Sequence, residues 1–295
     1  MSKSERYFQV ILHIVMILIS LICLFPFLLM VASSVTEETS LIINGYSLFP
    51  KKFSLDAYRY LMTSSTSIVR GYVITILVTL VGTTMNMLLT ILLAYPLSRP
   101  ELPHKNVFSF LIFFTMLFSG GLVPSYMMWT QVFHIKNTYL ALIVPALMMN
   151  AFYVIMMRTY FTSNIPNEVL ESARIDGAGE LKILVRIVLP MSLPIMATVG
   201  LMVGLSYWND WINGLYYVNK PQYYSIQNIL NRMLQDVQFL SSSAGAERAA
   251  DMTMKMPTTS IRMALSVIGI LPIMVIYPFI QKFLVKGITV GAVKG

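Results

Sequence analysis

Six stretches of this chain stay apolar for about the 20 residues a helix needs to cross the roughly 30 Å hydrocarbon core of a bilayer. They run from Phe8 to Ala32, Gly71 to Tyr95, Val107 to Trp129 with a break near Gly120, Tyr139 to Met157, Leu193 to Ile212, and Ile261 to Ile280. Inside hydrocarbon every backbone amide must be bonded within its own segment, so the pattern predicts an all-α integral membrane protein with six transmembrane helices. Composition agrees: 12% of the residues are charged and 56% hydrophobic, where a soluble domain carries roughly 25% charged residues. That balance excludes a soluble enzyme, a secreted disulfide scaffold and a disordered tail. The first run is longer than the roughly 7–15 apolar residues of a secretory leader and has no small-residue cleavage site, so it reads as a retained helix. Cys23 is the single cysteine, which allows neither an internal disulfide nor a cysteine metal cluster. Ile22 stands where lipoprotein processing wants a small side chain, and Cys23 reads as an apolar packing residue.

Charge placement sets a direction. The net charge of +8 is scattered between the apolar runs and forms no basic face for nucleic acid. With a cytoplasmic N-terminus, the inner segments hold Lys3, Arg6, Arg99, Lys105, Arg158, Arg174, Lys182, Arg186, Lys282, Lys286 and Lys294. Basic residues are then denser inside than outside, which favours both termini in the cytoplasm, as does an even number of spans. The spans hold almost no ionisable groups: His13 near one end, and Asp210 and Arg262 near outer boundaries. A gradient-driven carrier buries carboxylates, histidines or broken helices at midplane to bind its coupling ion, and this pattern offers none. Nor do paired carboxylates or a nucleophile with its base occur in any span, and His13, His104 and His134 lie far apart, which disfavours an intramembrane enzyme.

The segment between the fourth and fifth spans carries a helical hairpin. Ser163 or Asn164 is placed to cap a helix, Pro166 suits a first turn, and Glu168 and Glu171 sit near the positive end of its dipole. Gly177 closes that helix and Gly179 permits a second change of direction. Leu181, Leu184, Val185 and Val188 then recur at helical spacing on one face, up to Leu189-Pro190. By spacing alone this is an amphipathic loop able to rest on a lipid surface.

The residues point further. Glu171-Ser172-Ala173, then Asp176-Gly177-Ala178, then Leu189-Pro190 followed by Pro194, resemble the coupling loop of bacterial binding-protein-dependent ABC importers. Ser172 replaces the usual second alanine, and Leu184 stands where an aromatic residue is common. Val285 to Gly295, including Lys286, Gly287, Gly291, Lys294 and Gly295, resembles the tail of the second permease subunit of maltose-type carbohydrate importers, which reaches into the ATPase dimer interface. Phe118 to Tyr126, with Asn137-Thr138-Tyr139 after it, resembles the outer turn of a subgroup handling complex oligosaccharides.

The resemblance implies a type I ABC importer permease fold with a cytoplasmic coupling hairpin. It divides the chain into an N-terminal segment, first span and outer loop (1–70), a five-span permease core (71–281) and a cytoplasmic tail (282–295). It implies residence in the bacterial plasma membrane, among its lipids, and these partners: a second, different permease, two ATPase subunits and an extracytoplasmic solute-binding protein. The chain has no Gly-rich phosphate loop ending in Gly-Lys-Ser/Thr, so ATP and magnesium belong to the ATPase partners, and no cofactor or metal is expected in this chain. The cargo expected is carbohydrate, an oligosaccharide above all. The hairpin reads the ATPase and not the cargo, however, so an importer of the same architecture for a peptide or another non-sugar solute stays open, with a secondary carrier behind it.

Sugars are held by aromatic faces and by amides or carboxylates on their hydroxyls. Tyr207, Trp208, Asn209, Asp210, Tyr216, Tyr223 and Tyr224 are therefore candidate contacts for sugar or for a sugar-loaded partner, although an aromatic belt at the membrane interface has the same composition. Pro26, Pro145, Pro272 and Pro278 are expected to kink their spans. The 22 methionines fill irregular helix contacts.

Overall fold

The computed structural model describes residues 3–63, 65–240 and 258–292, and among them it is helical almost throughout. The one extended pairing among these residues is an isolated bridge between Thr36 and Phe53. The described residues fall into two compact units, one drawn from Met1–Ile68 and Leu230–Met274, the other from Val69–Ile229 and Val275–Gly295. The segment 230–274 groups with the N-terminal part.

In the first unit, helix α1 (Lys3–Ser34) runs through Pro26 without interruption and carries the first expected span, exposed over its whole apolar window. Two short helices follow, α2 (Glu38–Asn44) and α3 (Asp56–Thr63). One tie between the N-terminal part and 230–274 is Glu38. Its carboxylate takes backbone N–H bonds from Thr259 and Ser260, both at 2.7 Å, and the Ser260 hydroxyl at 2.8 Å. Those donors are the unsatisfied amides opening the last helix, Thr258–Ala292, so a residue 221 positions away closes its N-terminus.

The second unit is organised by α4 (Ser65–Ser98), whose 34 residues reach about 50 Å. That exceeds the bilayer core, so the helix continues past the expected Tyr95 boundary. The third expected span is two pieces, α5 (Lys105–Leu117) and α6 (Leu122–Met127) with a π turn to Val132, bent by 109° around Ser119-Gly120-Gly121. Next come α7 (Leu140–Ile143), α8 (Ala151–Asn164), α9 (Asn167–Ile175), α10 (Glu180–Ile183), a π turn (Leu184–Val188) and α11 (Leu189–Met191). They are followed by α12 (Leu193–Trp208), α13 (Ile212–Tyr217) and α14 (Ile226–Leu240); the last helix, Thr258–Ala292, is α15. The sixth expected span lies within α15, which passes Pro272 and Pro278 as one helix.

The fourth expected span is corrected most. Tyr139–Met157 is not a continuous helix, because the chain leaves helical geometry between Val144 and Asn150. Pro145 supplies no N–H, and Ala146 adopts φ +60°, closing a tight turn in which the Leu147 N–H bonds the Pro145 carbonyl at 2.7 Å. The freed carbonyls are then met by side chains from distant helices. The Tyr207 hydroxyl donates to Ile143 O at 2.9 Å, Asn213 Nδ2 to Pro145 O at 3.0 Å, and Asn86 Nδ2 to Leu147 O at 2.7 Å. Buried backbone outside a helix persists at membrane depth only when its polar groups are satisfied in this way. Thr90 in turn donates to Asn86 Oδ1, which orients that amide. A Cβ on Gly82 would stand 2.5 Å from the Tyr207 ring, so only glycine lets α4 approach closely enough for the ring to lie there.

Candidate functional site

Helix α8 continues to Asn164, whose amide bonds back to Tyr160 O at 3.3 Å. Ser163 and Asn164 therefore end one helix and do not cap the next. After extended, buried Ile165 the cap position of α9 falls on Pro166, which makes no side-chain cap, and Glu168 lies in the first turn. At the far end Gly177 takes φ +78°. The Gly177 N–H bonds Arg174 O and the Ala178 N–H bonds Ala173 O, both at 3.0 Å, which is the paired closure of a Schellman motif. Gly179, at φ −72°, sits where any residue fits, so the demand for glycine falls on Gly177 alone.

The second arm runs from Glu180 to Met191, then bends 84° at Ser192 into α12. Its π turn ends where Leu189 N–H reaches back to Leu184 O, just before Pro190, which has no N–H to give. The buried face differs from the one predicted from spacing. Leu184 and Val188 are buried together with Ile183, whereas Leu181 and Val185 are exposed at 70% and 53%. Leu170 and Ala173 anchor the first arm in the same core, and Ala178 packs against it. Ala173 thus serves internal closure, while Glu171, Ser172, Asp176, Gly177 and Pro190 are exposed and Leu189 is partly buried. Ile175, 86% exposed, joins Leu181 and Val185 in the solvent-facing apolar surface of the hairpin.

A polar cluster ties the hairpin to the end of α4. Arg174 donates from Nε to Glu180 Oε1 at 2.8 Å and from Nη1 to Glu101 Oε1 at 3.0 Å. The other Glu180 oxygen accepts the Tyr95 hydroxyl at 2.5 Å. The Tyr95 hydroxyl and then Arg174 hold the Glu180 carboxyl below its ordinary range. The Glu101 carboxyl is lowered by its own backbone N–H and by Arg174, and the Arg174 guanidinium is raised by Glu180 and Glu101. Buried Arg99 stacks 5.3 Å above the Tyr95 ring and donates to Ser98 Oγ at 2.9 Å, and desolvation pulls its pKa down. Arg158 Nε donates to Leu97 O at 3.1 Å, joining α8 to the same end of α4. The roles of Tyr95, Glu101 and Glu180 were not readable from the sequence; the opposite charges Arg174 and Glu180 flanking the Gly177 turn were the available signal.

The candidate sugar-contact residues separate into two sets. Tyr207 and Trp208 are buried, Tyr207 at the break described above and Trp208 with its ring 6.5 Å from Tyr72. Asn209 is exposed, and Asp210 caps α13 by accepting from Ile212 N and Asn213 N. Tyr216 is exposed, Tyr223 packs edge-on against Tyr139 at 5.1 Å, and the Tyr224 hydroxyl donates to Asn219 O. Asn137, at φ +59°, organises this neighbourhood by accepting the Asn219 and Lys220 amides on Oδ1. In the tail, Lys286, Gly287 and Gly291 lie on the helical backbone of α15, and Lys294 and Gly295 fall outside the described residues.

The family described as binding-protein-dependent transport system inner membrane component matches residues 102–290. The polygalacturonan/rhamnogalacturonan transport system permease protein YtcP of Bacillus subtilis (strain 168) is 36% identical over 292 residues, covering 99% of this chain and 100% of that protein. Protein LplC of the same organism is 35% identical over 294 residues, covering 100% of this chain and 97% of its own. Among solved structures, a chain of a bacterial ABC transporter involved in the import of the acidic polysaccharide alginate superposes with a TM-score of 0.79 at 25% identity, covering 96% of this chain and 98% of that one.

Proposed function

This chain belongs to the family of binding-protein-dependent transport system inner membrane components, and from that premise we propose that it forms half of the membrane path of an ATP-driven importer for oligosaccharides. It is a transport subunit and not an enzyme. In this reading a second, different permease completes the path, two ATPase subunits bind ATP and magnesium, and an extracytoplasmic binding protein delivers the sugar. Both termini lie in the cytoplasm, in keeping with the basic residues of the inner segments.

The observation that carries the reading is the hairpin. Leu170, Ala173, Ile183, Leu184 and Val188 fix it to the core, while Ile175, Leu181 and Val185 face outward beside Glu171, Ser172 and Gly177. A rigidly rooted element that presents apolar side chains fits a protein cleft, and a closing ATPase dimer would turn it and tilt the attached helices. The tail residues Lys286, Gly287, Gly291, Lys294 and Gly295 make the second ATPase contact. Carbohydrate as cargo is supported by what the similar proteins carry, and chains of uronic acids are the first to test. Asn209, Asp210, Tyr216, Tyr223 and Tyr224 meet the sugar or its binding protein on the outer side, with Tyr207 and Trp208 backing them from the core.

Site-directed crosslinking tests the docking. In a Cys23→Ser background, Ser172→Cys forms a crosslink with the ATPase in membranes of the assembled complex, and Glu171→Lys weakens copurification of the ATPase. No crosslink from Ser172→Cys, together with undiminished association in Glu171→Lys, overturns the assignment.

A further inference from the structure

We propose that Arg174 is a positioning residue that locks the ATPase-coupling hairpin to the inner end of α4, so that the two move as one body; this rests on the docking role proposed above. Four groups from four places in the chain meet here: Tyr95 on α4, Glu101 just beyond it, Arg174 on the first arm and Glu180 on the second. The guanidinium bridges both carboxylates, and the Glu180 carboxylate bridges Arg174 and Tyr95. No single bond of the set can therefore be moved without the others. Charge-assisted bonds of this kind are shorter and stronger than neutral ones, and a planar guanidinium fixes direction as well as distance.

Apolar packing of Ile183, Leu184 and Val188 in one core with α4 leaves a gap at the edge of the cluster. A cavity of about 440 Å³ lies beside the cluster, with Leu92, Pro96, Leu102 and Pro103 on the α4 side and Leu181 and Leu184 on the hairpin side. Around that gap the polar bonds add a directional tie to the apolar packing of Ile183 and Leu184 in the core they share with α4. The first arm adds a second constraint, because Arg174 O accepts the Gly177 amide that closes the turn. The guanidinium and the turn belong to the same residue and shift together. Beside the cluster, Arg158 of α8 donates to Leu97 O of α4, and Arg99, just past the end of α4, donates to Phe161 O of α8. A displacement of the hairpin is thus delivered to α4 as well as to α8 and α12, which continue directly into its two arms. Transmission in packed proteins runs through elements with discrete arrangements, and a cluster with every carboxylate oxygen but one engaged has few intermediate ones.

The test uses the assembled importer in lipid, with a Cys23→Ser background and spin labels at Leu88→Cys on α4 and Lys182→Cys on the hairpin. Both positions are exposed and outside the cluster. With Arg174 present, the distance between the labels stays the same whether the complex is nucleotide-free or trapped with ATP and vanadate. In Arg174→Gln the ATPase still copurifies, but trapping shifts that distance by about 1–2 Å or broadens it, the scale on which packed helices slip. Tyr95→Phe, which keeps the ring and removes one bond, gives a smaller change of the same kind. A distance that already shifts in the parent, or one that stays fixed in Arg174→Gln, overturns the lock. Failure of the docking role appears differently, as absence of a Ser172→Cys crosslink to the ATPase in the parent itself.

Discussion

Gly177 excludes most side chains through its backbone alone, since nothing lies within 4 Å of the place a Cβ would occupy. An L-residue at that positive φ costs about 1–2 kcal/mol, and asparagine tolerates it best. Gly177→Val therefore reaches the membrane but loses ATP-driven uptake, whereas Gly177→Asn retains it; normal uptake by the valine variant counts against a coupling role for the turn. Glu38 poses a different question. Burial alone would raise its carboxyl, yet the bonds from Ser260 and Thr259 outweigh that and hold it below the ordinary value. A lowered folded pKa contributes stability above the ordinary carboxylate value of about 4.3, and that contribution disappears as pH falls through the lowered one. Glu38→Gln accordingly loses about 1 kcal/mol at pH 7, the worth of a capping carboxylate at a helix N-terminus. The deficit, measured by thermal unfolding in detergent, shrinks toward zero as pH falls below about 4. An equal deficit at both pH values would show that shape, and not charge, is what Glu38 provides.

Between residues and the whole chain lie the elements, and the broken fourth span is the one most open to experiment. Ala146 sits in the left-handed region and is exposed, so Ala146→Gly removes strain without opening a cavity and raises stability by roughly 0.5–1 kcal/mol. Tyr207→Phe leaves the buried Ile143 carbonyl without its donor and costs about 1 kcal/mol, as bonds inside membrane proteins commonly do. Unfolding midpoints of the two variants should therefore move in opposite directions, and a parallel shift would mean that the break is not under the stress its geometry implies. The same element marks where sequence reading stopped. Pro145 signalled a disturbance, but the groups that make a wide break tolerable are Asn86, Tyr207 and Asn213, each some 60 or more positions away. Local pattern carries no trace of such partners. The hairpin was more legible because Pro166, Gly177 and Pro190 impose their geometry on their own neighbours. Even there Leu181 and Val185 face outward, and the π turn at Leu184–Val188 departs from the regular 3.6-residue turn that hydrophobic spacing assumes. Asn164 misled for the converse reason: its capping preference is real, but the preceding helix had already used it.

Over the whole molecule, the placement of ionisable groups decides how transport is powered. Asp210 is the acidic residue that falls within an expected span, and its carboxylate is engaged by the Ile212 and Asn213 amides at the start of α13. A carboxylate fixed as a helix cap is poorly suited to load and release a coupling ion in each cycle. His13, on exposed α1, bonds the Gln9 carbonyl one turn earlier. The ion pairs of Arg174 with Glu101 and Glu180 lie at the hairpin, where they join its two arms to the end of α4. Membership of the binding-protein-dependent transport family places the source of work outside this chain, which separates this account from a gradient-driven carrier. Vesicles holding this chain alone should accumulate no labelled oligogalacturonide under an imposed proton or sodium gradient, nor with ATP supplied on the inner face. Vesicles holding the chain with its permease partner, ATPase pair and binding protein should hydrolyse ATP faster when the loaded binding protein is added outside. Gradient-driven accumulation by the isolated chain would place the energy source within the helices and undo the assignment of the hairpin as its point of entry.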